Sequence, residues 1–129
     1  SAIGYREWAY KYFLKTSTID LTGDSKQFVG SLYIGGTHPA ANGGAWMSAV
    51  MGFAGIRADE SGLHINPALP DKWRSVRFSI FYKGRRYQIY ISKKEVRINS
   101  EDGAVDLHDV FVNGNKVSVC LDGPVETDY

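Results

Sequence analysis

The sequence predicts an α+β fold, in which a helical N-terminal part precedes a sandwich of antiparallel strands. Apolar residues recur every three or four positions at the start of the chain, as on one face of a helix, and every second position after Arg57, as in half-buried strands. A composition of 43% hydrophobic and 22% charged residues over 129 residues is typical of a globular protein with a substantial core.

The first predicted helix covers residues 5–20. Its apolar face comprises Tyr5, Trp8, Ala9, Tyr12 and Phe13, with charged residues on the opposite side. Residues 21–42 then lose any period and contain several glycines and Pro39. This pattern predicts a long ordered loop, and loops of that length within compact domains are usually functional.

A second predicted helix opens at Asn42-Gly43-Gly44 and ends near Gly55. One stripe of this helix carries Trp46, Val50 and Phe53, and nearly every other side is also apolar. A helix of this kind is buried on all sides, so it needs more neighbours than this chain supplies. We therefore expect the chain alone to self-associate through the uncovered side chains.

About six or seven short strands are predicted after Arg57. The strand patterns run through Leu63 and Ile65, then through residues 76–82, 87–91 and 96–98. Turn signals stand at residues 83–85 and 113–115, as in hairpins. The aromatic residues of the middle strands are read as sheet core, with a sugar-stacking platform as the alternative.

Charge and cysteine content exclude several classes of function. The formal net charge is only +1, which gives no bulk attraction to nucleic acid or to an anionic membrane. No apolar run reaches the roughly 20 residues that cross a bilayer. The single cysteine, Cys120, cannot form an intrachain disulfide, so the expected compartment is the cytoplasm. The chain opens without methionine, and we expect it to begin inside a longer protein.

The stretch from Gly35 to Trp46 is the candidate functional segment. Glycines at a helix start leave backbone N–H groups and the positive end of the helix dipole open to an anion such as phosphate. Thr37 offers a hydroxyl donor, and His38 can donate from one ring nitrogen, or from both when protonated. Alternatively, Asn42 only caps the helix, the glycines only allow tight turns, and His38 is a structural loop histidine.

Several motifs in one order resemble the end of glycoside hydrolase family 65, which includes maltose, kojibiose, nigerose and trehalose phosphorylases. They cover residues 1–98: the aromatic helix 5–13, Gly43-Gly44-Ala45-Trp46, Gly52-Phe53-Ala54-Gly55, and Leu63 through Trp73 with its Asn66-Pro67 and Leu69-Pro70 pairs. The resemblance implies that residues 1–56 end an (α/α)6 barrel catalytic domain, and that residues 57–129 form a C-terminal β-sandwich domain.

The resemblance also implies which residues bind phosphate. In those relatives a histidine of this loop is among the phosphate ligands, so His38, Gly43 and Gly44 are carried over, with Thr37 as a further candidate. The family's general acid is a glutamate from an earlier barrel loop, and nothing here matches its motif. We therefore expect no catalytic residue in this chain, and inorganic phosphate as co-substrate rather than a cofactor. His64 and His108 are expected to be structural, and the scattered histidines predict no metal site.

The implied parent enzyme is an inverting disaccharide phosphorylase, a glycosyltransferase in which phosphate cleaves an α-glucosidic disaccharide to a sugar 1-phosphate and glucose. Its partners would be the disaccharide and phosphate. No carboxylate pair of a self-sufficient glycosidase is apparent. Two alternatives stay open: a hydrolase of the same family, in which water attacks, and a non-catalytic β-module that binds carbohydrate or another domain. The isolated chain is expected to be inactive.

Overall fold

A computed structural model describes residues 4–22, 27–29, 32–34, 38–100, 109–117 and 125–128. The predicted α+β class is confirmed. The helical segments are α1 (Arg6–Ser17), α2 (Ile19–Thr22), α3 (Pro39–Met47) and a π-helical segment (Ser48–Phe53) that continues α3 without a break. Within the described parts of the chain, no helix is long and apolar enough to cross a membrane.

Helix α3 begins at Pro39, so the predicted start at Asn42-Gly43-Gly44 is wrong. Proline favours the first helical position, because its ring fixes φ near the helical value and its missing N–H would have no partner there. His38 is the N-cap residue, and the Asn42 N–H already donates to the His38 carbonyl at 3.0 Å. Gly43 and Gly44 therefore lie more than a turn inside the helix.

The predicted loop 21–42 contains regular structure. After α2, the short strands β1 (Gln27–Val29) and β2 (Leu32–Ile34) pair antiparallel with each other. The expectation of a long ordered loop over residues 21–42 is therefore wrong for the end of α2, for these strands and for the first turn of α3. Thr37, one of the predicted phosphate ligands, lies outside the described residues.

Two four-stranded sheets follow, so the described residues from Ile56 on contain eight strands, slightly more than the six or seven predicted from the period of two. The remaining strands are β3 (Ile56–Ala58), β4 (Leu63–Ile65), β5 (Ser75–Tyr82), β6 (Arg85–Ser92), β7 (Glu95–Ser100), β8 (Val110–Val112), β9 (Asn115–Val117) and β10 (Val125–Asp128). One sheet has the order β3-β4-β8-β9 and the other β10-β7-β6-β5. Two-residue turns at Lys83-Gly84 and Asn113-Gly114 join hairpins, each with positive φ at both positions.

One strand pair departs from the predicted antiparallel pattern. Strand β4 pairs with β8 in parallel, with His64 opposite Phe111. Parallel neighbours need a long crossover connection, and here the whole hairpin system β5 to β7 lies between them in sequence. A period-of-two pattern predicts that a strand is half-buried but says nothing about its partner's direction.

The two sheets share one hydrophobic core, which makes them the layers of a sandwich. The core strands of one sheet contribute Ile56, Leu63, Ile65, Val110 and Val112, and those of the other Tyr87, Ile89, Ile91, Val96 and Ile98. Val50 and Phe53 of the π-helical segment belong to the same cluster. The helical part is therefore anchored to the sandwich through its last turn.

Two of the sequence motifs meet at this junction between helices and sandwich. Phe53 is 2% exposed, and its ring lies 5.3 Å from Trp73 and 5.5 Å from Phe13 between centroids. The Ala68 N–H donates to the Phe53 carbonyl at 2.8 Å, and the Asn66 N–H donates to the Gly55 carbonyl at 3.1 Å. Contacts with the segment from Asn66 to Trp73 thus hold residues 52–55 in place.

Helix α1 presents apolar residues on two faces rather than on one. Ala9, Tyr10 and Phe13 pack against the core cluster, whereas Tyr5, Trp8 and Tyr12 are 66%, 55% and 60% exposed. The far side of the second helical segment is similarly open, since Trp46, Met47 and Met51 are each about half exposed. Of the apolar stripe Trp46, Val50 and Phe53, which was predicted to lack neighbours, Trp46 is exposed, whereas Val50 and Phe53 are buried in the core cluster.

Candidate anion site at the start of helix α3

Helix α3 brings His38 close to an aspartate that the sequence analysis did not select. Asp20 lies in α2, directly after the C-terminal end of α1, and α1 packs against α3. One carboxylate oxygen, Oδ2, accepts the backbone N–H of His38 at 3.0 Å. The other, Oδ1, is in short hydrogen-bond contact with the His38 ring nitrogen Nδ1.

A third group completes the partners of Asp20. The side-chain amide of Asn42 donates from Nδ2 to Asp20 Oδ2 at 3.2 Å. The carboxylate thus bridges the N-cap residue of α3 and a residue one turn later, where negative charge also interacts favourably with the helix dipole. Asn42 helps to cap the helix, but through Asp20 rather than through its own bond to the backbone.

The hydrogen bond from the His38 side chain is the main reason that the pKa of the Asp20 carboxyl lies below its usual value. The bond from the His38 backbone lowers this pKa further, while partial burial opposes both effects. The side chain of Asp20 is only 17% exposed. Asp20 is therefore an ionised carboxylate near neutral pH, and it acts as a hydrogen-bond acceptor toward all three groups.

The Nε2 edge of the His38 ring is not occupied by the described part of the chain. The His38 side chain is 40% exposed, and Nδ1 is occupied by Asp20. Within the described part of the chain, Nε2 has no hydrogen-bond partner. In the same helix, the amides of Ala40 and Ala41 lie in the first turn, where N–H groups have no carbonyl partner within a helix.

The two predicted glycine ligands, Gly43 and Gly44, lie beyond the first turn of α3, where N–H groups are free. Their N–H groups lie within the hydrogen-bonded part of α3. A Cβ added at Gly43 or at Gly44 would meet no atom within 4 Å. The surface above both residues is therefore open, and binding of phosphate there remains a prediction.

Sequence reasoning missed Asp20 because the contact is not local. Asp20 and His38 are 18 positions apart, and nothing in their spacing indicates that they meet. The available signal was indirect: an acidic residue at the end of an amphipathic helix, directly before the glycine-rich segment. Such a residue can cap the next helix when the two helices pack against each other.

The second histidine of the described chain, His64, contacts its own turn and the neighbouring strand β8, and its structural role stays a prediction, as does that of His108, which lies outside the described residues. His64 stacks on Phe111 with centroids 4.8 Å apart, and its Nε2 contacts Ser61 Oγ at 2.8 Å and Asp59 Oδ1 at 3.1 Å. Both partners share one ring nitrogen, so this is not the relay of a nucleophilic triad. Within residues 4–22, 38–100 and 109–117, no three His, Cys, Asp or Glu side chains form a potential metal site.

The aromatic residues of β5 and β6 divide between core and surface. Tyr87 is fully buried and Phe78 packs against the core, as expected for sheet core. Tyr90 lies on the outer face between Arg77 and Arg97, whose guanidinium carbons are 5.9 and 5.5 Å from the ring centroid. The ring thus makes cation–π contacts with both arginines. Together with Gln88 and Asn99 these residues line a cavity of about 200 Å³, and sugar stacking on this face stays a prediction.

Residues 56–119 match the sequence model of the glycosyl hydrolase family 65 C-terminal domain. The matched segment begins with β3 and includes the parallel β4–β8 pair. The chain therefore belongs to glycoside hydrolase family 65, and it corresponds to a C-terminal portion of such enzymes.

Several curated relatives of the chain are phosphorylases. It is 40% identical over 93 residues to the nigerose phosphorylase of Lachnoclostridium phytofermentans, an alignment that covers 72% of this chain and 12% of that protein. It is 36% identical to the α,α-trehalose phosphorylase of Geobacillus stearothermophilus, over 98% of this chain and 16% of that protein. The chain thus spans less than a fifth of the length of these relatives.

A solved structure named "Putative kojibiose phosphorylase from human microbiome" has the same fold. Its superposition covers 100% of this chain and 16% of that chain, with a TM-score of 0.81 and 22% sequence identity. The helices and both sheets described above therefore have a counterpart within a much longer polypeptide.

Proposed function

We propose that this chain is the phosphate-binding C-terminal part of an inverting disaccharide phosphorylase, in which His38 contacts the phosphate. The observation that carries the proposal is the Asp20–His38 pair at the N-terminus of α3. His38 is the N-cap residue of α3, so its ring and the first-turn amides of Ala40 and Ala41 belong to the same helix end, where N–H groups can bind an oxyanion. The family assignment and the phosphorylase relatives support the same reading.

In the proposed reaction, phosphate attacks the anomeric carbon of an α-glucosidic disaccharide from the face opposite the leaving group. A glutamic acid from a part of the enzyme outside this chain protonates the departing oxygen, and the products are an inverted sugar 1-phosphate and glucose. Because phosphate is already an anionic nucleophile, the site has to hold it rather than deprotonate it. Hydrogen-bond donors therefore replace the second carboxylate of an inverting hydrolase.

The uncovered apolar faces support placing α1 and α3 at the end of an (α/α)6 barrel. Trp8 and Tyr12 on α1, and Trp46 and Met47 on α3, are all about half exposed or more. Helices with apolar residues on opposite faces are typical of positions between other helices. In the complete enzyme, further helices of the catalytic domain would cover these faces, and the barrel would carry the sugar-binding loops.

Kinetics of the full-length enzyme with a His38→Ala substitution test this function. Loss of a charge-assisted hydrogen bond is worth about 1.5–3 kcal/mol, which corresponds to a rise of roughly 10- to 150-fold in the apparent KM for phosphate. The KM for the disaccharide should change far less, because the sugar is bound elsewhere. A phosphate KM within about twofold of the parent, roughly 0.4 kcal/mol, would favour the hydrolase reading instead.

Gly44→Ala provides a second test of the phosphate site, and we expect it to leave the fold of α3 unchanged. The added methyl group meets nothing within 4 Å, and alanine in a helix interior is favoured over glycine by about 1 kcal/mol. A loss of phosphate affinity in this variant would therefore report crowding of the ligand rather than damage to the fold. An unchanged phosphate KM in both Gly43→Ala and Gly44→Ala would remove the two glycines from the site.

A further inference from the structure

We propose that Asp20 is the positioning residue of the phosphate site, because it holds the His38 imidazole with Nδ1–H toward its carboxylate and Nε2 toward the phosphate. This inference rests on the proposed function, since it concerns how the phosphate ligand His38 is oriented. Three contacts carry it: Oδ2 with the His38 backbone N–H, Oδ2 with the Asn42 side chain, and Oδ1 with the ring.

The contacts fix the position of the carboxylate independently of the ring. The bonds at 3.0 Å from the His38 backbone and 3.2 Å from Asn42 both reach Oδ2. Oδ1 is left to the ring nitrogen Nδ1. Since the backbone N–H belongs to the same residue as the ring, Asp20 constrains both the start of α3 and the direction of the His38 side chain.

Donor and acceptor chemistry then decides the tautomer. An ionised carboxylate only accepts hydrogen bonds, so Nδ1 must carry a proton. A neutral ring in this orientation presents Nε2 as an acceptor, and the imidazolium presents it as a donor. The imidazolium is therefore the form that can donate to Asp20 and to a phosphate oxygen at the same time, as a cation between two anions.

The substitution Asp20→Asn can separate the orientation of the His38 ring from the capping of α3. The asparagine amide can put its oxygen in the place of Oδ2 and keep the bonds from the His38 backbone and from Asn42. Its NH2 group then takes the place of Oδ1 and points a donor at Nδ1. The variant Asp20→Asn should therefore keep α3 capped but reverse the tautomer, leaving a neutral ring with Nε2–H.

The experiment combines kinetics of the full-length enzyme with ¹⁵N NMR of the His38 ring in this 129-residue chain. In Asp20→Asn we expect the phosphate KM to rise about tenfold, by analogy with the loss seen when the hydrogen-bond partner of a metal-ligating histidine is removed. The rise should be smaller than in His38→Ala, because a neutral Nε2–H donor remains. The disaccharide KM should stay within about twofold, and the NMR signals should change from the Nδ1-protonated to the Nε2-protonated form.

Two further variants act as controls. Asp20→Glu keeps a carboxylate, so it should retain the Nδ1-protonated signal and a phosphate KM closer to the parent than Asp20→Asn. Asp59→Asn makes the same chemical change at the other Asp–His pair, Asp59 with His64, and should leave the phosphate KM unchanged. Thermal unfolding of each variant shows whether it is folded.

The outcomes separate this inference from the function beneath it. A phosphate KM that rises in His38→Ala but not in a folded Asp20→Asn variant would overturn the role of Asp20 and leave the phosphate site standing. If Asp20→Asn raised the KM values for phosphate and disaccharide equally and left the tautomer unchanged, Asp20 would be only a helix cap. That result would also overturn the inference. If His38→Ala itself does not change the phosphate KM, the proposed function is wrong, whatever the result for Asp20→Asn.

Discussion

Gly55→Ala should be among the most destabilising single-methyl additions in this chain. Gly55 has φ of +69°, and a Cβ there would lie 1.9 Å from the Asn66 carbonyl oxygen. The Asn66 backbone cannot easily retreat, because its N–H donates to the Gly55 carbonyl and the neighbouring residues Ile56 and Ile65 pair in the sheet. The added methyl group therefore forces the junction between the π-helical segment and β3 to open.

Gly84→Ala isolates the contribution of the backbone conformation. Gly84 has φ of +79°, but a Cβ there meets nothing within 4 Å. A left-handed conformation costs alanine about 1–2 kcal/mol, so this is the expected loss at Gly84. The overlap with Asn66 should raise the loss at Gly55 to about 3–5 kcal/mol, within the range of severe single substitutions.

Urea and thermal unfolding of both variants, followed by circular dichroism and by the fluorescence of Trp73 and its neighbours, would measure the difference. For a chain of this size the Gly55 variant should melt about 10–20 °C below the parent, and the Gly84 variant less than about 10 °C below. Equal losses in the two variants would refute the argument from steric overlap. They would imply that the Asn66 carbonyl moves aside at little cost.

Two other predictions concern the turn at Asp59 between β3 and β4 and the exposed apolar faces of α1 and α3. The hydrogen bonds of Ser61 and His64 lower the pKa of Asp59 to about 2, with the Ser61 side chain as the main cause. The ionised Asp59 carboxylate should thus contribute its full stabilisation above a pH of about 4, the pKa of aspartate in the unfolded chain, and lose it as the pH falls toward 2. We therefore expect Asp59→Asn to lower the melting temperature at pH 6, and to lower it progressively less between pH 4 and pH 2.5. The isolated chain should self-associate through the face of Trp8 and Tyr12 and the face of Trp46 and Met47, and light scattering that shows a monomer at high concentration would contradict this expectation.

Features set by neighbouring residues could be predicted from the sequence. The alternation in β6 places Tyr87, Ile89 and Ile91 in the core, and all three are fully buried. The two-residue turn at Lys83-Gly84 follows from the same local chemistry, because its positive φ values suit a glycine. Hydrophobic period and turn preference act over a few residues, so one sequence is enough to show them.

Features that depend on distant contacts could not be predicted. The parallel pairing of β4 with β8 and the burial of Phe53 beneath Trp73 join segments with no common pattern. The position of Asp20 beside His38 depends on how α1 and α3 pack. The start of α3 is a different case, because Pro39 is a local signal for the first helical position and lies three residues before the Asn42-Gly43-Gly44 stretch.

The Asp20–His38 contact closes a chain segment whose ends are 18 positions apart. Once both ends of a segment are fixed, the entropic cost of a longer segment rises only slowly, by about 0.6 kcal/mol for each doubling of its length. A change in the length of the segment that contains β1 and β2 should therefore cost little and leave His38 in place. That makes the segment a suitable position for insertions, by which evolution or an engineer could reshape the surroundings of the proposed anion site around a fixed His38.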